Sequence, residues 1–215
     1  MLACPLAGVL LALQTIAAVP PAGPQYVKAC DPCTIGLRAG SGPADFRFTL
    51  ETVPQGRVVK AILFERGGHT VQQMNVPSMT PLAQDESFFF GGQDINFDGW
   101  LDLLLMTEQG AANAKAEYWV YDPATDRFRD LGEFPMFRVD AAHKRLSTYV
   151  SNGPAGLDFE KRDYGFQGND LIVVSEETQK PMAGRRGSYV HTVRHHKDGK
   201  LVVVLRETIK QPAAR

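Results

Sequence analysis

The chain has almost no excess of either charge: 23 lysines and arginines stand against 24 aspartates and glutamates, a formal net charge of -1 at pH 7. That balance removes the electrostatic reason to expect nucleic acid or an anionic membrane surface as a partner. No apolar run reaches the roughly 20 residues a bilayer span needs. No glycine-rich loop opens a helix, as a phosphate cradle requires, and no serine sits in a nucleophile-elbow motif. There are only 3 cysteines; Cys30 and Cys33 cannot by themselves complete a zinc site, and no histidine pair stands at supporting spacing. What is present is a 44% hydrophobic composition over 215 residues, which excludes disorder for most of the chain. Its 20 glycines and 14 prolines are spread throughout, cutting it into short segments that suit strands and turns.

The N-terminal region reads as a targeting segment. Leu6 to Val19 is an uncharged apolar run interrupted only by Gln14 and Thr15 and followed by Pro20, Pro21, Ala22, Gly23 and Pro24. This is the length of a secretory h-region and too short for a membrane span. The expectation is a signal peptide over residues 1–23, cleaved between Ala18 and Gly23. An exported protein with no stable membrane insertion after cleavage follows. Cys4 precedes the apolar run instead of closing it, and Cys30 follows Lys28 and Ala29 with no adjacent apolar run, so neither fits a lipid-accepting cysteine. Cys30 and Cys33, in Cys-Asp-Pro-Cys, have redox-motif spacing but no strand before them and no amphipathic helix after. A small structural disulfide in an oxidising compartment is expected.

Residues 24–43 form a Gly/Pro-rich lead, and residues 44–215 are expected to form a single β domain. Phe46 to Val53, Arg57 to Glu65 and His69 to Val76 have strand length and lie between the turn formers Pro54-Gln55-Gly56 and Gly67-Gly68. Phe88-Phe89-Phe90 suggests a strand buried on both faces. Leu101 to Thr107, Glu117 to Tyr121 and Arg127 to Leu131 continue the series. Near the C-terminus, Gln167 to Thr178 aligns with Lys197 to Thr208 at an offset of 30 residues, each copy a polar turn followed by Leu and three branched apolar residues. This predicts two antiparallel hairpins, with Asp198-Gly199 suited to a primed turn. The fold class expected is all-β, a propeller-like arrangement of small antiparallel hairpins or, alternatively, a β-sandwich.

The strongest local signal is Asp94-Ile95-Asn96-Phe97-Asp98-Gly99-Trp100-Leu101-Asp102. Oxygen-bearing side chains at the first, third, fifth and ninth places, with glycine at the sixth, match a calcium loop. Calcium is a hard cation that takes six to eight oxygens, and the glycine accommodates the sharp turn that aims alternate side chains inward. Asp94, Asn96, Asp98 and Asp102 would ligate through side chains and Trp100 through its carbonyl. An EF-hand needs a bidentate glutamate at the twelfth place, where this chain has Leu105. A structural calcium ion is expected, with water completing its shell.

No other constellation points to an active site. His191 and His195 would stand about 13 Å apart on one strand face, and His195 and His196 point to opposite faces. Asp158 and Glu160 have nothing in the sequence converging on them. An enzyme is not expected.

The run from Phe88 to Asp102 with its calcium loop resembles a known family. So do Tyr118-Trp119-Val120-Tyr121-Asp122 with Phe128, Lys144 to Tyr149, and the two turn-then-Leu-Val-Val hairpins. The family is that of the periplasmic calcium-binding immunity proteins of bacteria that kill competitors through a type IV secretion system. The resemblance spans about Arg57 to Thr208. It implies a β-propeller-like domain that binds and inhibits a lysozyme-like peptidoglycan hydrolase toxin, with calcium on Asp94, Asn96, Asp98, Trp100 and Asp102. No short motif marks an inhibitory residue. Two loops are candidates for entering a hydrolase cleft: Met79 to Glu86, and Ala183 to Gly187, whose Arg185 and Arg186 suit an acidic site. The other expectation carried forward is a calcium-stabilised module binding cell-envelope glycan, which would need Trp100 or Trp119 exposed as a stacking platform.

Overall fold

The computed structural model describes residues 25–27, 32–83, 86–110, 113–153 and 156–210. The expected signal peptide and Cys30 lie outside the described residues.

Three antiparallel sheets follow one another along the chain. The first is a four-stranded meander of β2 (Cys33–Gly36), β3 (Pro43–Val53), β4 (Gly56–Arg66) and β5 (His69–Asn75). The second contains β6 (Phe88–Gln93), β7 (Asp102–Glu108), β8 (Lys115–Asp122) and β9 (Arg127–Pro135), with β1 (Gln25–Val27) added beside β6. The third is a six-stranded meander of β10 (Arg138–Asp140), β11 (Arg145–Ser151), β12 (Phe159–Gln167), β13 (Asp170–Pro181), β14 (Ser188–Lys197) and β15 (Lys200–Lys210). The all-β expectation holds. The Gly/Pro-rich lead supplies β1 and β2 to the sheets as well as leading into β3.

The second sheet is the middle layer, and its alternation explains why its strands are apolar almost throughout. Phe88, Phe90, Leu103, Leu105, Trp119 and Tyr121 point to one face, where they meet Phe46, Ile62, Phe64 and Met74 of the first sheet. Leu104, Ala116, Tyr118 and Val120 point to the other, packing with Phe137, Leu146 and Tyr164. A strand buried on both faces cannot alternate polar and apolar residues. Phe46 is the hub of the first core, with ring centroids 5.5 Å from Phe64, 5.6 Å from Phe90 and 5.9 Å from Phe128. Truncating such a ring costs about 3–5 kcal/mol. Successive meanders packed face on face are the common element of propeller blades and sandwiches.

The two C-terminal hairpins form as the repeat requires. Asp198 and Gly199 both have positive φ, 51° and 80°, as a type I′ turn demands. The third sheet outgrows its cover: β15 is an edge strand on which Val203, Val204 and Leu205 are exposed.

Candidate functional site

The loop of residues 94–101 connects β6 to β7, whose register pairs Gln93 with Asp102. It is fixed at three points. Ile95 is fully buried in the second core. Leu101 is buried in the first, and its N–H donates to the Leu37 carbonyl at 2.7 Å. The Trp100 ring rests 5.3 Å from Tyr121, with the Arg38 guanidinium 5.2 Å over its face. Gly99 turns the chain with φ 87°, a conformation that Phe97 shares at 64°.

The oxygen atoms of the loop curl inward. Asp94 accepts from the N–H groups of Asp98 at 3.2 Å and Gly99 at 3.0 Å. Asn96 Oδ1 accepts from Asp98 N–H at 3.1 Å. Asp98 accepts from Trp100 N–H at 2.8 Å and from the Asn96 amide at 2.9 Å. The Trp100 indole is occupied with packing, which leaves its carbonyl as the only oxygen it offers.

Asp102 stands apart from these three. Its side chain is 1% exposed. One oxygen accepts from Ile95 N–H at 2.9 Å and Asn96 N–H at 3.2 Å, and the other from Tyr121 N–H at 2.9 Å on β8. Burial pushes its pKa up to about 7, against the pull of the three N–H donors, and the Asp98 charge adds to the rise. A carboxylate has about four lone-pair positions, so three accepted bonds leave one for an ion or a water. Among the described residues no cluster of three or more His, Cys, Asp or Glu side chains stands arranged for a metal. Asp102 is turned to backbone N–H groups, so the turn itself holds two carboxylates, Asp94 and Asp98, and the Asn96 amide. The oxygens of these side chains are hard, a donor set that would suit calcium. A cleft of about 240 Å³ lies beside the loop, bordered by Asn96 and Asp98 on one side and Arg127, Arg129 and Asn169 on the other.

The other sequence candidates are placed as follows. Cys33 is disulfide-bonded. Trp119 is 1% exposed and Trp100 is partly buried, so neither offers a free stacking platform. Met79 packs on the first core, and Leu82 exchanges two backbone hydrogen bonds with Arg57, at 2.9 and 3.0 Å. Gly56 makes that approach possible, because a Cβ there would lie 2.1 Å from the Leu82 carbonyl oxygen. The described part of the Met79 to Glu86 loop is therefore tied down. Ala183 to Gly187 forms the tip of the β13–β14 hairpin, closed by Arg185 N–H to the Met182 carbonyl at 3.2 Å and Ser188 N–H to the Arg185 carbonyl at 3.1 Å. Arg185 and Arg186 are exposed at that tip. His191 lies between two carboxylates, with Nε2 2.9 Å from Glu177 and Nδ1 3.1 Å from Glu207. Asp158 pairs with Lys180 at 3.1 Å and Glu160 with Arg162 at 3.1 Å.

One acidic group escaped the sequence reading. Glu117, buried on β8, shares a hydrogen bond with Asp130 of β9. Burial first, then the Asp130 and Glu133 charges, raise its pKa to about 7. A bulge between Tyr118 and Trp119 shifts the β8–β9 register and brings these acids together.

Among the described residues no helix is long and apolar enough to cross a membrane. Comparison with protein-family models finds no match, and neither does comparison with curated proteins. The fold is similar to the solved structure of a Xanthomonas type IV secretion system related protein. That match has 11% sequence identity and a TM-score of 0.53, and it covers 85% of this chain and 99% of the other.

Proposed function

We propose that this protein is a periplasmic immunity protein that binds and inhibits a lysozyme-like peptidoglycan hydrolase toxin of a type IV secretion system. The observation that carries the reading is the likeness, across nearly the whole of the other chain, to a type IV secretion system related protein. The calcium-type loop is the connection between two strands of the middle sheet. The ion is structural on this reading, held by Asp94, Asn96, Asp98, the Trp100 carbonyl and Asp102. It neutralises a turn in which carboxylates otherwise crowd.

The protein acts by binding and not by catalysis, and its partner is a protein instead of nucleic acid. The hairpin tip with Arg185 and Arg186 is the element that meets the acidic cleft of the hydrolase, where charge complementarity favours encounter. After removal of residues 1–23 the protein is free in the periplasm, with Cys30 and Cys33 joined in the oxidising compartment.

The test is capture of partners from periplasmic extract in calcium, followed by a muralytic assay on the retained material. A retained cell-wall hydrolase whose activity falls as the protein is added supports the reading. Recovery of the protein alone overturns it.

A further inference from the structure

The outward face of the third sheet gathers side chains that play no part in the 94–102 loop. Leu146, Thr148 and Tyr164 are buried on the inward face, so Ser147, Tyr149 and Lys161 stand outward. Tyr149, 48% exposed, is stacked on Phe159 with centroids 5.6 Å apart and planes at 24°. Lys161 lies directly across β12 from Tyr149, and Arg138 directly across β10 from Ser147. Arg138, Ser147, Tyr149 and Lys161 border a hollow of about 430 Å³, and Phe159 backs the Tyr149 ring.

The hollow is held in shape from outside the sheet. The Asn113 amide donates to the Ser151 carbonyl at 2.8 Å, and Ser151 N–H donates back to Asn113 Oδ1 at 2.9 Å. Met136 N–H donates to the Ala114 carbonyl at 2.9 Å. These bonds tie Asn113 and Ala114, just before β8, to the rim, so the feature is an open hollow on the sheet face, bounded on that side.

Its charge is unbalanced. Neither Arg138 nor Lys161 has an ion-pair partner among the described residues. The acids on the same face are occupied: Asp163 accepts from the Ser175 hydroxyl at 2.7 Å, and Glu177 is bound to His191. An exposed tyrosine ring, backed by a second ring and set beside two uncommitted cations and a hydroxyl, suits a ligand with an apolar ring face, several hydroxyls and a carboxylate.

We propose that this hollow binds a carboxylate-bearing saccharide, with the sugar face on Tyr149, which Phe159 backs, and the carboxylate on Arg138 and Lys161. The site is independent of hydrolase inhibition. The test is calorimetric titration with three disaccharides: N-acetylglucosaminyl-N-acetylmuramic acid, digalacturonate, and chitobiose as the uncharged control. At least one acidic disaccharide binds tenfold or more tightly than chitobiose, and the tighter of the two identifies the source. Tyr149→Ala and Lys161→Gln each weaken that binding about tenfold while the melting temperature holds. Equal affinity for chitobiose, no binding of either acidic sugar, or binding that survives both substitutions overturns the proposal. So does tighter binding of a glutamate-rich peptide to the same residues.

Discussion

The side chain of Gln72 on β5 behaves as an extra residue of β9: its amide donates to the Phe128 carbonyl at 2.7 Å and its Oε1 accepts the Phe128 N–H at 2.7 Å. The first and second sheets are thereby stitched where Phe46, Phe64 and Phe128 meet. Loss of the carboxamide strands two backbone groups of a half-buried strand, at a cost of about 1–3 kcal/mol. Gln72→Ala is expected to lower the urea midpoint accordingly without changing the slope. Gln72→Glu, which keeps the acceptor and loses the donor, falls in the same direction.

Calcium should stabilise the fold through the 94–102 loop. At about a hundredfold above its dissociation constant the ion adds about 2.7 kcal/mol, a rise of roughly 5–10 °C in melting temperature. Asp94→Ala abolishes the calcium-dependent rise and leaves the calcium-free protein folded. Thermal melts with calcium and with chelator check both points.

Glu117 makes stability pH-dependent in the alkaline direction. Its folded value of about 7 lies above the ordinary 4.5. The folded state therefore binds the proton more tightly, and stability is lost as pH rises from about 4.5 through 7. Glu117→Gln stays neutral and keeps a donor toward Asp130. It is expected to melt higher than the parent at pH 8 and at the same temperature at pH 5.

His191 pulls the same way for a different reason. Both ring nitrogens sit against carboxylates, Glu177 of β13 and Glu207 of β15, and only the imidazolium can donate from both. The Glu177 hydrogen bond is the largest effect and raises its pKa above the ordinary 6.5; desolvation, next in size, opposes it, and the Glu207 hydrogen bond adds to the rise. The folded value exceeds the unfolded one, so the clamp contributes fully below pH 6.5 and is lost as pH rises through the raised value. NMR titration of the ring in the folded protein should place its midpoint above 6.5, and Glu177→Gln should bring it down.

The edge strand β15 exposes Val203 at 54% and Val204 at 53%. Val204 lies at a bulge against β14, which already discourages pairing with another chain. Val204→Lys is expected to change stability by less than about 0.5 kcal/mol while raising the concentration at which light scattering detects association.

Much of this architecture was legible in the sequence, where local chemistry demands one conformation. Asp198-Gly199 requires positive φ at both residues and forms the turn it predicts. Phe88 to Phe90 reads as a strand with no solvent face and is one. The loop from Asp94 to Asp102 shows its oxygen periodicity without any fold. What stayed hidden depends on register between distant segments. Gln25 pairs with Phe90 although the whole first sheet lies between them in sequence, and nothing local in the lead announces it. Glu117 meets Asp130 only because a bulge displaces one strand by a residue. Tyr149 and Phe159 stack because the β11–β12 register sets them diagonally across two strands. The sequence pattern also gave Asp102 as one calcium ligand among equals, whereas burial makes it the anchor that ties the loop to β8.

The central claim is inhibition of a cell-wall hydrolase, and stoichiometric titration of muralytic activity tests it most directly. With a lysozyme-like toxin purified from the captured complex, the account predicts that activity falls linearly to near zero at one equivalent in calcium. It also predicts weaker inhibition by the Arg185→Glu, Arg186→Glu double variant. Undiminished activity at a large molar excess of folded, calcium-loaded protein would contradict it.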